Sequence, residues 1–230
     1  IFIIAETDIH ELEHVSGKKV MQRNGALKDV KDLKMKKIDT GKLSWTIAMY
    51  GTDEMANEAG LSSRTYWNQI VKACYLDEKN PVAKWRSITK QTGTTAAKLD
   101  ALEIESLHWQ GQDMDITVGI GTDRKWRAGG GNNIPSYEVF TSPNMHQAEG
   151  WIRFNQPHFR YGKRIEGIEL WFEKGKVVKA TATKNLDLLK QMLKQPGGNQ
   201  LGEVSLTDCR ISRITKPTGV ILYDENIGGK

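Results

Sequence analysis

The pentapeptide HELEH at residues 10–14 brings together side chains that can bind zinc and help to hydrolyse a peptide bond. On a helix, His10 and His14 lie on the same face, so their imidazoles could hold one zinc ion. Glu11, which stands between them, could then act as general base on a water held by that metal. The spacing therefore raises the hypothesis of a zincin-like endopeptidase.

The residues around this pentapeptide argue against that hypothesis. The segment IFIIAE at 1–6 is an apolar run typical of a buried strand. Asp8 is a plausible N-cap, so a helix would begin near Ile9, and Ser16-Gly17 would end it after less than two turns. No third ligand occurs at the spacing that such proteases use. We favour a short, solvated helix with polar residues on its outer face.

Two glutamates further along the chain stand in unusual surroundings. Glu138 lies in NIPSYEVFTSP at residues 133–143, and Glu203 lies in LGEVSL at residues 201–206. A glutamate at the start of an apolar strand is costly to bury unless it is paired or bound to a metal. Taken alone, each of the two is more often a salt-bridged residue at the edge of a sheet.

The elements that would position these residues change character near the middle of the chain. The first half has mainly helical periodicity, and from about residue 103 apolar and polar residues alternate as in strands. Helices are predicted over 26–38, from a cap in Gly51-Thr52-Asp53 to Gly60, from Ser62 or Ser63 to about Leu76, and from Asn80-Pro81 until Gly93 interrupts the pattern. Strands are predicted over 43–50, 103–109, 114–120, 150–156 and 220–223, with a hairpin turn at Lys174-Gly175 and a helix over 186–193.

This pattern predicts a mixed α/β and α+β fold, with a helical, partly α/β first half and a β-rich second half. A helix-rich part over residues 1–100 is therefore predicted to be joined to a β-rich part over residues 101–230. Helices that alternate with few strands in one half, and consecutive strands in the other, are typical of such mixed folds.

Composition restricts the classes of function. The 230 residues are 38% hydrophobic and 27% charged, which is ordinary for a globular protein, and no apolar run approaches the length of a membrane span. The net charge of +5 does not indicate a nucleic-acid partner, because basic and acidic residues are interleaved. Cys74 and Cys209 are the only cysteines, which suggests a reducing compartment without a disulfide scaffold.

Several segments together closely resemble the aminopeptidase T family of metalloaminopeptidases, which also includes aminopeptidase S of staphylococci and streptococci. The similarity runs from about Ile1 to Gly229. The segments that carry it are, in order, PVAKWR, GTDRKWRAGGGNNIPSYEVFTSP, GKVVKA, LGEVSL and ILYDENIGG.

The resemblance implies a cytoplasmic exopeptidase, typically a homodimer, that removes N-terminal residues from peptides by means of a two-metal-activated water. It implies that two divalent ions, zinc or cobalt, are held by Glu138 and Glu203. Glu225 is a candidate general base, or a group that orients a histidine ligand, although it could equally cap a turn. The loop Gly129–Asn133 could line the substrate cleft. HELEH then falls in a variable acidic helix of the family and not in its metal site.

The chain departs from the family pattern at its C-terminal end. In the family, the stretch that begins with D-E-N carries a histidine ligand within a few residues, and a further histidine and aspartate follow. This chain stops at Lys230 before all three. The resemblance therefore implies a central fragment. Residues 1–100 would be the helix-rich end of an α/β N-terminal domain with its connecting helices, and residues 101–230 a β-rich catalytic domain that is truncated before its remaining metal ligands. We expect such a fragment to be inactive or nearly so without those ligands. A non-catalytic binding or scaffold domain with the same fold remains the alternative.

Overall fold

The computed structural model describes residues 1–228, so Gly229, which closes the ILYDENIGG segment, and Lys230 lie outside the described residues. In the first half, strand β1 (Phe2–Ile4) pairs in parallel with β2 (Ile47–Met49). The strand prediction for residues 1–6 is confirmed, but the predicted burial is wrong. Phe2 and Ile3 are 50% and 58% exposed in this two-stranded sheet.

Three helices of the first half begin at the capping positions that the sequence predicts. Thr52, Ser62 and Asn80 accept hydrogen bonds from the backbone N–H groups of the residues three positions later, at 3.2, 3.2 and 3.0 Å. The helices are α1 (Gly17–Ala26), α2 (Lys28–Asp39), α3 (Asp53–Glu58), α4 (Ser63–Ala73) and α5 (Pro81–Ala101).

Two helix boundaries differ from the predictions. Ser16 does not end a helix but caps the start of α1, where its hydroxyl accepts from the Lys19 N–H at 3.4 Å. Gly93 does not interrupt α5, which continues for a further two turns. A glycine costs a helix about 1 kcal/mol, and the buried Ile88, Thr92 and Ala96 that hold α5 against the protein outweigh that cost.

The second half is built from antiparallel strands, as predicted. One five-stranded sheet has the order β11-β10-β7-β4-β3, a three-stranded sheet has the order β12-β6-β5, and β8-β9 is a separate hairpin. The predicted turn at Lys174-Gly175 joins β10 to β11, and both of its residues have positive φ. The elements are β3 (Ser106–Gly111), β4 (Met114–Gly119), β5 (Arg127–Ala128), β6 (Glu138–Thr141), β7 (Ala148–Arg153), β8 (His158–Arg160), β9 (Lys163–Ile165), β10 (Glu169–Glu173), β11 (Lys176–Thr181), α6 (Leu186–Leu193), β12 (Val204–Thr207) and α7 (Ile221–Asp224).

The strand predicted over Val220–Tyr223 is wrong, because these residues form the short helix α7. The backbone N–H groups of Asp224 and Glu225 donate to carbonyls four residues back, at 3.0 Å each. Leu222 and Tyr223 are both buried in the main core. Burial of these two neighbours outweighs the strand propensity of the apolar run.

The main core contains side chains from both halves of the chain. It includes Tyr66 and Ile88 from the first half and Tyr137, Leu222 and Tyr223 from the second. The predicted mixed α/β and α+β class is confirmed, whereas the division at residue 100 stays a prediction. Among the described residues, no helix combines the length and the apolar character that crossing a membrane requires.

Candidate active site

Glu138 is a buried carboxylate with an unsatisfied oxygen. It begins β6, and the residue is 5% exposed. Its Oε2 is buried and has no hydrogen-bond partner among the described residues. Burial, followed by the negative charge of Glu203, raises the pKa of Glu138, whereas a hydrogen bond with the Ser205 side chain lowers it. A buried carboxylate in this state is costly unless a cation compensates it.

Glu203 lies on the same side of the three-stranded sheet as Glu138. It comes directly before β12, in which Ser205 is opposite Phe140 of β6. Residues two positions apart in a strand point to the same face of the sheet. Glu203 therefore points to the same face as Ser205, and Glu138 to the same face as Phe140. Glu203 itself is exposed. The antiparallel pairing of two strands that are distant in sequence thus brings both predicted ligands to one surface.

Glu225 joins this acidic group from α7. Its side chain lies in the wall of a cleft, where it is exposed but surrounded by protein atoms. This partial desolvation is the largest cause that raises the pKa of Glu225 to about 7. The charges of Glu138, Glu203 and Asp224 raise it further, in that order. The three residues singled out from the sequence therefore form one electrostatic cluster.

Two polar residues fix α7 in this position. The Asn226 residue is 0% exposed, and its Oδ1 accepts a hydrogen bond from the Tyr137 N–H at 2.8 Å. The Asp224 carboxylate accepts from the backbone N–H groups of Thr218 at 2.6 Å and Gly219 at 2.9 Å. The sequence analysis did not identify Asn226 as a functional residue. Its position directly after Asp224-Glu225 was the available signal.

The donor atoms in the cluster fit a divalent cation. Carboxylate oxygens bind several such ions, and Glu138 Oε2 is an acceptor that nothing within residues 1–228 satisfies. Among those residues, however, no three histidine, cysteine, aspartate or glutamate side chains are close enough together to hold a metal ion. The described part of the chain therefore supplies converging negative charge, but not a complete set of ligands.

HELEH does not form the helix that its hypothesis requires. Residues 9–14 form successive turns, and Asp8 caps the first of them through the His10 N–H at 3.0 Å. The predicted helix from Ile9 is therefore wrong. The His10 ring contacts Glu58 at 3.1 Å, while the His14 side chain is 90% exposed and lies beside Glu13. Glu13 also lies 3.5 Å from His10 Nδ1 and 3.1 Å from His14 Nε2, so both imidazoles contact carboxylates and do not stand on one helix face as a zinc pair would.

The cleft beside Glu225 has a volume of about 540 Å³. It lies between the N-terminal segment 4–12, the β8–β9 hairpin and α7. Asn133 is the residue of the Gly129–Asn133 loop that lines it, and a single bridge ties Asn133 to Ile47 of β2. The cleft can accommodate a short peptide next to Glu225, the member of the acidic cluster that lines it.

Comparison with known proteins gives a consistent result along the chain. A family model described as thermophilic metalloprotease (M29) matches residues 1–229. Aminopeptidase PepS of Streptococcus thermophilus is 29% identical over 206 residues, which cover 81% of this chain and 50% of that protein. Aminopeptidase T of Thermus aquaticus is 32% identical over 168 residues, which cover 69% of this chain and 41% of that protein. The chain thus spans about half the length of the curated relatives that it matches.

The fold is also similar to that of a solved structure. Wild-type AmpT from Thermus thermophilus superimposes with a TM-score of 0.81 and 27% sequence identity, over 98% of this chain and 60% of that chain. The resemblance inferred from the sequence segments is confirmed by these matches. The chain belongs to the thermophilic metalloprotease family M29.

Proposed function

We propose that this chain supplies part of the active site of a metal-dependent aminopeptidase, which removes N-terminal residues from peptides. Its relatives named PepS and aminopeptidase T are aminopeptidases by name. In this proposal Glu138 and Glu203 hold two divalent ions, zinc or cobalt, and Glu225 acts as the general acid and base. When bound, the ions would polarise the scissile carbonyl and make water a better nucleophile at neutral pH.

The observation that carries the proposal is the unsatisfied Oε2 of Glu138 beside the charges of Glu203 and Glu225. Three carboxylates that repel one another stabilise a fold poorly. The same arrangement is favourable once a cation lies between them, because opposite charge then replaces repulsion. A cluster of this kind is therefore typical of a site that is designed to hold positive charge.

Glu225 has the properties of an acid–base group. With a pKa of about 7, its carboxylate can accept a proton and return it near neutral pH. It lies in the wall of the cleft, where a peptide would bind. We assign it the removal of a proton from the attacking water and the donation of that proton to the leaving amine.

The remaining features of the proposal rest on the family resemblance. They are a homodimeric assembly, peptides with a free N-terminus as substrates, and a cytoplasmic location. The free thiols of Cys74 and Cys209 are compatible with a reducing compartment. The alternative of a non-catalytic scaffold domain predicts an intact protein that holds no divalent metal.

An assay with the intact protein separates these functions. We expect hydrolysis of N-terminal leucine from a peptide that is abolished by a chelator and restored by zinc or cobalt. Glu138→Gln and Glu203→Gln should each lower kcat/KM by at least about a hundredfold, since a ligand is lost. Glu173→Gln, an exposed residue at the end of β10, is the matched control. Turnover that persists in the chelated protein, or is unchanged in both variants, would refute the proposal.

A further inference from the structure

The β8–β9 hairpin places two positive charges directly opposite each other. Arg160 and Lys163 are cross-strand partners on either side of the Tyr161-Gly162 turn. Like charges in this arrangement destabilise a hairpin. Within residues 1–228 neither side chain forms an ion pair, and the Arg160 guanidinium lies over the Tyr161 ring at 5.1 Å from its centroid. The pair is therefore a cationic site that has no carboxylate partner among the described residues.

The hairpin is held in place by the segment that precedes α1. The Gly162 carbonyl lies 3.3 Å from His10 Nδ1, and a Cβ built on Gly162 would meet the Glu13 nitrogen at 3.0 Å. The hairpin tip therefore packs directly against residues 9–13, part of the N-terminal segment that also lines the cleft.

Both cations line the same cleft as Glu225. The acidic residues of this cleft belong to other elements, namely the N-terminal segment, α3 and α7. Glu58 on α3 is engaged by the His10 ring at 3.1 Å. The cleft therefore carries charges of both signs on separate elements, with the cations on the hairpin and the proposed reaction centre at α7.

We propose that Arg160 and Lys163 form a subsite that binds the C-terminal carboxylate of short peptides. The inference rests on the proposed function, because it takes the peptide's amino end to lie at the acidic cluster. A free peptide has an ammonium group at one end and a carboxylate at the other, and the cleft likewise has Glu225 on one of its walls and the two cations on the hairpin. Arginine and lysine are the side chains that bind carboxylates most strongly, through charge-assisted hydrogen bonds. The cleft volume of about 540 Å³ fits a peptide of a few residues.

The test compares Leu-Gly-Gly with its C-terminal amide in the intact, metal-loaded protein. We expect kcat/KM for the free acid to exceed that for the amide by about tenfold or more, mainly through KM. Arg160→Gln and Lys163→Gln should each bring the ratio of kcat/KM for the acid to kcat/KM for the amide close to one. Arg160→Lys should retain it, and Lys176→Gln, an exposed cation of β11, serves as the control.

Three results would overturn the subsite. The first is an equal kcat/KM for the acid and the amide of Leu-Gly-Gly, and the second is variants that lower kcat/KM for both substrates alike. The third is a higher kcat/KM for the amide of Leu-Glu-Gly than for the free acid of Leu-Gly-Gly, which would show that the cations bind an acidic side chain of the peptide. Loss of all turnover contradicts the proposed function instead. In that case calorimetric titration of triglycine and its amide tests the subsite separately, because binding needs no reaction.

Discussion

The Oδ1 atom of Asn226 accepts a hydrogen bond from the backbone N–H of Tyr137 at 2.8 Å, in a fully buried position. The next residue after Tyr137 is Glu138, and the residue before Asn226 is Glu225. This one bond therefore joins α7 to β6 at the point where their two carboxylates influence each other. The Asn226 Nδ2 group also donates to the Leu222 carbonyl at 3.1 Å, so both ends of the amide are used.

Asn226→Ala is predicted to destabilise the protein. The substitution leaves the buried Tyr137 N–H without an acceptor, which costs about 1–3 kcal/mol of unfolding free energy. Chemical denaturation measures this loss. Asn57→Ala, at an exposed position of α3, should change the free energy by less than about 0.5 kcal/mol. Equal effects of the two substitutions would show that the Tyr137–Asn226 bond does not hold α7 in place.

Glu203→Gln is predicted to lower the pKa of Glu225 in metal-free protein. The charge of Glu203 is one of the causes that raise this pKa to about 7, and the amide removes that charge. Carbon-detected NMR of the side-chain carboxyl groups measures the shift directly. Glu173→Gln should leave the Glu225 titration unchanged. If Glu225 titrates identically in wild type and Glu203→Gln, the two carboxylates do not converge.

In metal-free protein, the contribution of Glu225 to the free energy of unfolding is predicted to fall as the pH rises. Because folding raises the pKa of Glu225 from 4.5 to about 7, the folded state binds this proton more tightly than the unfolded state. The loss of unfolding free energy is absent below pH 4.5, where Glu225 is protonated in both states. It is complete above about pH 7, where Glu225 is ionised in both states. Glu225→Gln should therefore flatten the curve of unfolding free energy against pH over this window. An unchanged slope in Glu225→Gln would contradict the raised pKa.

His10→Ala and His14→Ala are predicted to leave the metal content of the intact protein unchanged. His14 is largely exposed and His10 contacts Glu58, so neither belongs to the acidic cluster. His10→Ala should also remove the contact with Glu58. Because this pair is exposed, its loss should lower the free energy of unfolding by about 1 kcal/mol or less. Elemental analysis after gel filtration gives the metal content. Loss of metal in both variants would restore the zincin hypothesis.

Local signals in the sequence predicted most of the elements. The caps at Thr52, Ser62 and Asn80 and the turn at Lys174-Gly175 gave correct boundaries, because they depend on backbone hydrogen bonds within a few residues. The strand predicted for the apolar run 220–223 was wrong, because the helix that these residues form depends on distant partners in the core. Short runs of this kind do not distinguish a strand from a helix.

The candidate site depended on pairing that no local pattern contains. Glu138 and Glu203 lie on one side of a sheet because β6 and β12 are neighbours in it. The sequence indicated that the two glutamates converge only through the family resemblance. Asn226 was missed because its role comes from one long-range hydrogen bond to Tyr137. The HELEH pattern gave a wrong hypothesis although its local spacing matches a zinc motif, because residues 9–14 form turns and not the helix that zinc binding requires.

The most direct test of the metal site is anomalous diffraction at the zinc or cobalt edge from crystals of the intact protein loaded with that metal. The account predicts anomalous peaks about 2.0–2.2 Å from carboxylate oxygens of Glu138 and Glu203, the usual metal–carboxylate distance. Peaks at His10 and His14, or metal that touches neither glutamate, would contradict it.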